Sequence, residues 1–227
     1  MRKQILIYIS LLSAISASTF AQVDSFNIDS FQRYTQINMG LSYGHFLGEV
    51  SNFTKAGGSF DMQFAEGWDN HIFGFNINAL LSNKVKEFTI PAGYEHYDSP
   101  ATFFLGVFYG SVLGNQHKSH FHWSVGFSYA LLFHRKRDQK TGSHHGFVPR
   151  LEIGRSIKIG KSKLSYFQYT SQYTPMKYDP SISQRFIDIF VGYQHLLLNS
   201  AEAKGGLLVA GLRYKFNKYS TNKNLNK

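Results

Sequence analysis

The chain has 227 residues, among them 20 Gly, 21 Phe, 14 Tyr and no Cys, and its formal net charge is +10. The absence of Cys excludes a disulfide scaffold and any thiolate site. Mean hydropathy is −0.24, and beyond the N-terminus no run approaches the ~20 apolar residues that a spanning helix needs. Any membrane crossing by the processed chain is therefore made by strands.

Met1-Arg2-Lys3 is a positive start, Ile5 to Leu12 is a short apolar run, and Ser13, Ala14, Ser16, Ala17 and Ser18 are small. Thr19-Phe20-Ala21 places small residues three and one before Gln22. This is the secretory pattern, too short for a membrane span, and cleavage is expected before Gln22. Of the 24 basic residues, Arg2 and Lys3 leave with it, so 22 face 14 acids and the net is near +8. A basic chain invites a nucleic-acid reading. An exported chain does not meet the genome, so no nucleic acid is expected as a partner. Lipid phosphates or acidic glycans are the expected anions.

Residues 22–33 are mixed and read as a lead segment. From residue 34 onward, period-two alternation dominates, which is the strand signal. Ile37, Met39, Leu41 and Tyr43 alternate with Asn38, Gly40, Ser42 and Gly44. Phe60, Met62 and Phe64 alternate with Ser59, Asp61 and Gln63, and Phe73, Phe75 and Ile77 with Gly74, Asn76 and Asn78. The clearest run is Phe121, Trp123, Val125, Phe127, Tyr129, Leu131 and Phe133, against His122, Ser124, Gly126, Ser128 and Ala130, with Leu132 as the exception. Ile187, Ile189, Val191 and Tyr193 repeat it, with Phe190 as the exception. Weaker strands are expected near 101–110, 147–158 and 163–173, and a last one over 206–216. Pro91, Pro100, Pro175 and Pro180 mark loops or strand edges, and Pro149 the start of a strand. The polar residues 217–227 read as a frayed tail.

A soluble barrel such as a lipocalin also alternates, with its apolar face inward. Three features favour the opposite orientation. The stretches 34–46 and 120–133 exceed the ~9–11 residues that span a bilayer as a tilted strand. The non-apolar face carries Gly, Ser, Asn and Gln rather than Lys and Glu, which suits a crowded wet lumen. Aromatic residues gather toward strand ends, at Tyr43, Phe46, Tyr109, Phe121, Phe133, Tyr214 and Phe216, as in the girdles of membrane barrels. The expected fold is all-β: a single transmembrane antiparallel up-and-down β-barrel of 8 to 10 strands, spanning 34–216.

Gly211, Tyr214 and Phe216 resemble the C-terminal insertion signal of Gram-negative outer-membrane β-barrel proteins: a glycine, an aromatic three on, and an aromatic two further. Val209 stands where that signal usually has a polar residue, and 11 residues follow Phe216. The resemblance implies the cell outer membrane as location and the barrel assembly machinery as a partner. It implies no activity.

Nine candidate strands conflict with the even number of bacterial single-chain barrels, and eight or ten stay open. Long loops are expected near 47–55, 82–100, 134–146 and 174–184, and short ones near 66–70, 111–118 and 159–162. Long loops should be extracellular, but nine crossings then leave strand 206–216 ending outside.

His120 and His122, with His117 nearby, have a spacing that suits a transition metal. No carboxylate partner is fixed by sequence, so these are read as polar lumen or rim residues, with no metal and no cofactor expected. Ser143, His144, His145 and Asp138 share one loop, but sequence proximity is not triad geometry, and no catalytic residue is assigned. Arg135, Lys136 and Arg137 form a basic run suited to lipopolysaccharide phosphates. Arg155 interrupts an apolar face and belongs near the periplasmic rim. Arg150, Glu152, Asp188 and Arg213 are expected as a charge network in the lumen, with Phe104, Phe108, Phe190 and Leu207 also intruding. The expected role is non-catalytic (structural, adhesive or assembly-accessory), with at most slight passive permeability. The alternative is a lipid A-modifying enzyme of deacylase or acyltransferase type. The tripartite start predicts that intact-mass analysis of outer-membrane fractions finds a mature chain beginning at Gln22; a form retaining Met1 would contradict it.

Overall fold

The computed structural model describes residues 33–52, 54–84, 101–134, 142–171, 174–199 and 204–220. Eight antiparallel strands close into one barrel in chain order: β1 Arg33–Leu47, β2 Thr54–Trp68, β3 His71–Lys84, β4 Ala101–Leu113, β5 His120–His134, β6 Gly142–Ser171, β7 Thr174–Leu198 and β8 Gly205–Ser220. A 3₁₀ turn, Glu49–Asn52, follows β1. Closure is by β1 against β8, in register from Arg33↔Ser220 to Leu47↔Gly206. No open edge is then left within the closed part of the wall, the condition for backbone in hydrocarbon.

The eight strands settle the count, and the reason lies in β6. Residues 147–158 and 163–173 are not two strands with a turn at 159–162. β6 runs straight through, with a register shift between Ile159 and Lys163 and Gly160 at φ 71°. Such an irregularity bends a strand without ending it, and the left-handed backbone there favours glycine. Lys158, Lys161 and Lys163 give the bulge the composition of a loop. The expected long loop 174–184 is likewise strand, the start of β7.

The same correction removes the orientation conflict. Eight crossings put Arg33 and Ser220 at the same end, with the two-residue turn 69–70 and the connection 114–119. At this end β6 and β7 outrun their neighbours. Pairing with β5 stops at Ser156 and pairing with β8 begins at Ser181, while β6 and β7 pair on to Ser171↔Thr174. Pro175 and Pro180 fall in the part of β7 that has no β8 partner, where a missing N–H breaks no ladder on that side. Pro149 lies inside β6 rather than at its start, and β6–β7 pairing skips Val148 and Pro149. The barrel also extends past 216: Asn217 and Tyr219 are in β8 and buried, so 217–220 belong to the wall and not to a frayed tail. The lead segment, but for Arg33, and the signal segment lie outside the described residues.

The strands are apolar on the outside. Leu41, Phe75, Leu105, Phe127, Leu151 and Leu212 are all exposed, on six different strands. Aromatic residues mark both boundaries of this band. Near the short turns, Trp68 stacks on His71, His71 Nδ1 lies 2.6 Å from the Tyr109 hydroxyl, and Tyr109 meets Trp123 edge-on. Nearer the long connections, Tyr129 meets Phe147 edge-on at 5.7 Å. Rings with a polar handle suit such boundaries. Phe46, expected among them, is instead fully buried in the lumen, because β1 turns Tyr34 to Phe46 inward at every second residue. Arg155 is exposed beside Phe121, its guanidinium 5.2 Å from the ring centroid, one residue from the start of β5. The end of β5 puts it at the rim on that side only: on the other side it pairs with Ile189, in the row of Leu212 and Leu41 within the apolar band, and the turn expected beside it at 159–161 is continuous β6.

An apolar exterior on a closed barrel makes this a transmembrane β-barrel. Val125 faces outward and Ser124 inward. Val125→Arg is therefore expected to cost about 2–4 kcal/mol of folding free energy in a bilayer, and Ser124→Ala about 1 kcal/mol or less. Urea titration of vesicle-folded protein, read by heat-modifiable gel mobility, measures both; equal effects would invert the assigned faces.

Candidate functional site: the charged layer of the lumen

Eight strands enclose a space that side chains fill. Here the filling is layered. Toward the long connections, Phe46, Leu80, Leu132, Leu196, Leu198 and Leu207 form an apolar cluster that also includes Phe104 and Phe190. Toward the short turns, Tyr34, Ile72, Phe108, Val112, Ile182 and Tyr219 form a second. Leu132 and Phe190, the exceptions in the alternating pattern, are inward residues of the first cluster.

Between these clusters lies a layer of buried charge. Its cations are Arg150, Arg213 and Lys215, and its carboxylates Asp61, Glu152 and Asp188. These six are the buried Asp, Glu, Lys and Arg among the described residues, and their formal charges cancel. Arg213 is the centre. Its Nη1 donates to Glu152 Oε1 at 2.7 Å and its Nη2 to Oε2 at 2.5 Å, a bidentate pair. Its Nε pairs with Asp61 Oδ1 at 2.5 Å, and Nη1 lies 3.6 Å from Asp188 Oδ2. The guanidinium also lies over the Phe190 ring, 3.4 Å from its centroid. Arg150 donates to Glu152 Oε2 at 2.8 Å.

The register explains how Arg213 reaches so many partners. Gly40 stands opposite Arg213 on one side and Asp61 on the other. A Cβ at Gly40 would run into Arg213 Cα and Cγ, so the side chain crosses β1 where β1 has no side chain. Gly154 plays the same part for His122. The two residues are paired, and the imidazole occupies the space of a Gly154 Cβ. His122 Nε2 thereby comes within 2.6 Å of Asp188 Oδ1 on β7.

Ser156 donates to the same Asp188 oxygen at 2.9 Å, and Lys215 Nζ donates to Ser156 Oγ at 3.0 Å. Serine, aspartate and histidine thus meet, but the carboxylate sits between the other two. A nucleophile needs the histidine next to the hydroxyl, so this order holds charge in place and does not activate Ser156. His120 Nδ1 bonds the Lys118 carbonyl oxygen at 2.8 Å, and His117 packs against the Tyr219 ring. The three histidines with metal-like spacing therefore engage separate partners. No group of three potential ligands converges among the described residues. A cavity of about 10 Å³, room for about one water molecule, lies beside Gln36, Asn38, His122, Glu152 and Lys215.

The expected network of Arg150, Glu152, Asp188 and Arg213 is assembled as one cluster. Asp61 and Lys215 complete it and were not singled out from the sequence. The signal was there: both share the inward parity of their strands, Asp61 between Phe60 and Met62, and Lys215 two residues after Arg213. Of the residues that resemble an insertion signal, Gly211 pairs with Ser42 and faces inward, while Tyr214 is exposed outside. Phe216 is half-buried on the outer face, and β8 runs four residues beyond it to Ser220. Arg135, Lys136, Arg137 and Asp138 lie outside the described residues. His144 and His145 are in β6 and so on successive, opposite faces of a strand.

No family model and no curated protein matches this chain. Among solved structures it is similar to Neisserial surface protein A, with a TM-score of 0.48 and 10% identity over 82% of this chain and 95% of that one. It is also similar to the N-terminal β-barrel domain of Pseudomonas aeruginosa OprF, with a TM-score of 0.46, 10% identity, and 82% and 98% covered. A third is Ail, the attachment invasion locus protein of Yersinia pestis, with a TM-score of 0.42, 12% identity, and 83% and 99% covered.

Removing one partner of a buried ion pair leaves the other uncompensated. Arg213→Ala takes the shared cation from Glu152, Asp61 and Asp188 and is expected to cost about 3–5 kcal/mol. Asp61→Asn removes one contact of Arg213 and should cost about 1–3 kcal/mol. Equilibrium urea unfolding in vesicles measures both, and a negligible loss for Arg213→Ala would show that the layer does not depend on it.

Proposed function

We propose that this chain is a non-catalytic barrel of the Gram-negative outer membrane, whose work is done at its rims and outer surface rather than through its bore. The observation that carries this reading is the lumen: a charge-balanced layer between two apolar clusters, with Phe46, Phe186, Leu207 and Tyr219 each fully buried. Solute passage would require breaking the Arg213 contacts with Glu152 and Asp61 inside a low-dielectric space, where such pairs are costly to part. What remains to the protein is structural, adhesive or assembly-accessory work, with anionic partners favoured by the basic chain. In this reading Gly211, Tyr214 and Phe216 address the chain to the barrel assembly machinery. Arg135, Lys136 and Arg137, in the connection between β5 and β6, contact lipopolysaccharide phosphates.

Planar-bilayer recordings of the purified protein are expected to show no stable, large single-channel conductance. Regular porin-sized steps would replace this proposal with transport. Mass spectrometry of lipid A from cells with and without the gene should show the same acyl chains. A change that depends on Ser143, His144 or His145 would establish the lipid A-modifying alternative.

A further inference from the structure

The apolar band ends differently around the wall. On β6, β7, β8 and β1, outward residues Ile157, Ile187, Tyr214 and Met39 share one pairing row. The next outward row toward the chain ends is Ile159, Arg185, Phe216 and Ile37, and the one after is Lys163, Ser183, Lys218 and Thr35. Lys161 lies in the bulge beside them. The surface thus passes from hydrocarbon-like to cationic within two to four residues, about 7–14 Å along a strand. Lys161, Lys163, Arg185 and Lys218 are all exposed, and none forms an ion pair among the described residues. The described exposed carboxylates at this end, Glu66 and Asp69, sit across β1 on β2 and its turn.

We propose that Lys161, Lys163, Arg185 and Lys218 form a binding surface for anionic phospholipid headgroups, in the leaflet facing the two chain ends. Two observations select this occupant. The cations continue directly from the lipid-facing band, so a lipid whose acyl chains lie on Ile157, Ile187 and Tyr214 carries its phosphate to their height. Among the residues whose side chains are described, no exposed carboxylate lies beside them on β6, β7 or β8, and cations near an anionic lipid surface are favoured. The bulge at Gly160 contributes by adding residues to β6 at that level, which brings Lys161 and Lys163 into the same belt as Arg185. This belt is at the opposite end of the barrel from His134 and Gly142, the strand ends that flank residues 135–141, and the inference rests on the membrane-barrel reading.

The test is native mass spectrometry of the full chain released from mixed micelles with equal phosphatidylglycerol and phosphatidylcholine. The wild-type barrel is expected to retain the anionic lipid with roughly ten-fold preference, and K161Q/K163Q/R185Q/K218Q with about two-fold or less. The pair R185Q/K218Q should fall between. K55Q/K84Q/K204Q, a three-charge change at the opposite rim, should keep the wild-type preference. The proposal is overturned by no preference in the wild type, by undiminished preference in the four-site variant, or by its loss in the opposite-rim variant. Heat-modifiable mobility of each variant is read in parallel. A chain that never folds in either lipid would sink the membrane-barrel reading and this one with it, whereas folded barrels without lipid preference would sink only this one.

Discussion

A chain that crosses hydrocarbon as strands has to pair its last strand with its first, since an unpaired backbone group there costs several kcal/mol. The β1–β8 seam meets that requirement over the whole length of β1, from Arg33↔Ser220 to Leu47↔Gly206. Much of the rest depends on this seam. It fixes eight as the strand number and puts both strand ends on one side. It sets Arg213 against Gly40. It also leaves an interior too narrow for anything but side chains.

That interior faces a second constraint. Inward positions of a narrow barrel are buried as fully as a soluble core, yet the alternation of strands facing lipid makes them polar. Six charged groups among the described residues are enclosed, and they are tolerable only as a neutral set with close partners. Arg213 serves this because a planar guanidinium engages several acceptors at once. Glu152 takes two of its N–H groups, and Asp61 and Asp188 stand at its other sides. The apolar clusters above and below shield the layer from bulk solvent, which strengthens the same contacts. Filled lumen and balanced charge are therefore one arrangement.

The rims are unlike each other. At one end are the longer connections; at the other, short turns and the overrunning β6–β7 ribbon. The ribbon is two strands beyond the support of β5 and β8. Its bulge comes where β6 leaves the apolar band, and the lysines around Gly160 sit at that level. A bulge changes which side chains share a row, so a strand that has to be lipid-facing over one stretch and cationic over the next changes register between them.

By itself the sequence determined the all-β class and the inside-out sense of the barrel. Both are written in local order: a period of two with small polar residues on one face. It also determined the members of the lumen network that share inward parity with obvious neighbours, Arg150, Glu152, Asp188 and Arg213. Only the tertiary structure decided the strand number, because a bulge at Gly160 and a turn at Gly160 have the same local composition. Only it decided that Asp61 and Lys215 belong with Arg213, since their meeting depends on register between β1, β2 and β8. Phe46 shows the limit most plainly. A ring at a strand end looks like a boundary aromatic until the pairing of its strand fixes which way it faces. Parity along one strand is local, whereas the contents of a lumen are set by eight strands together.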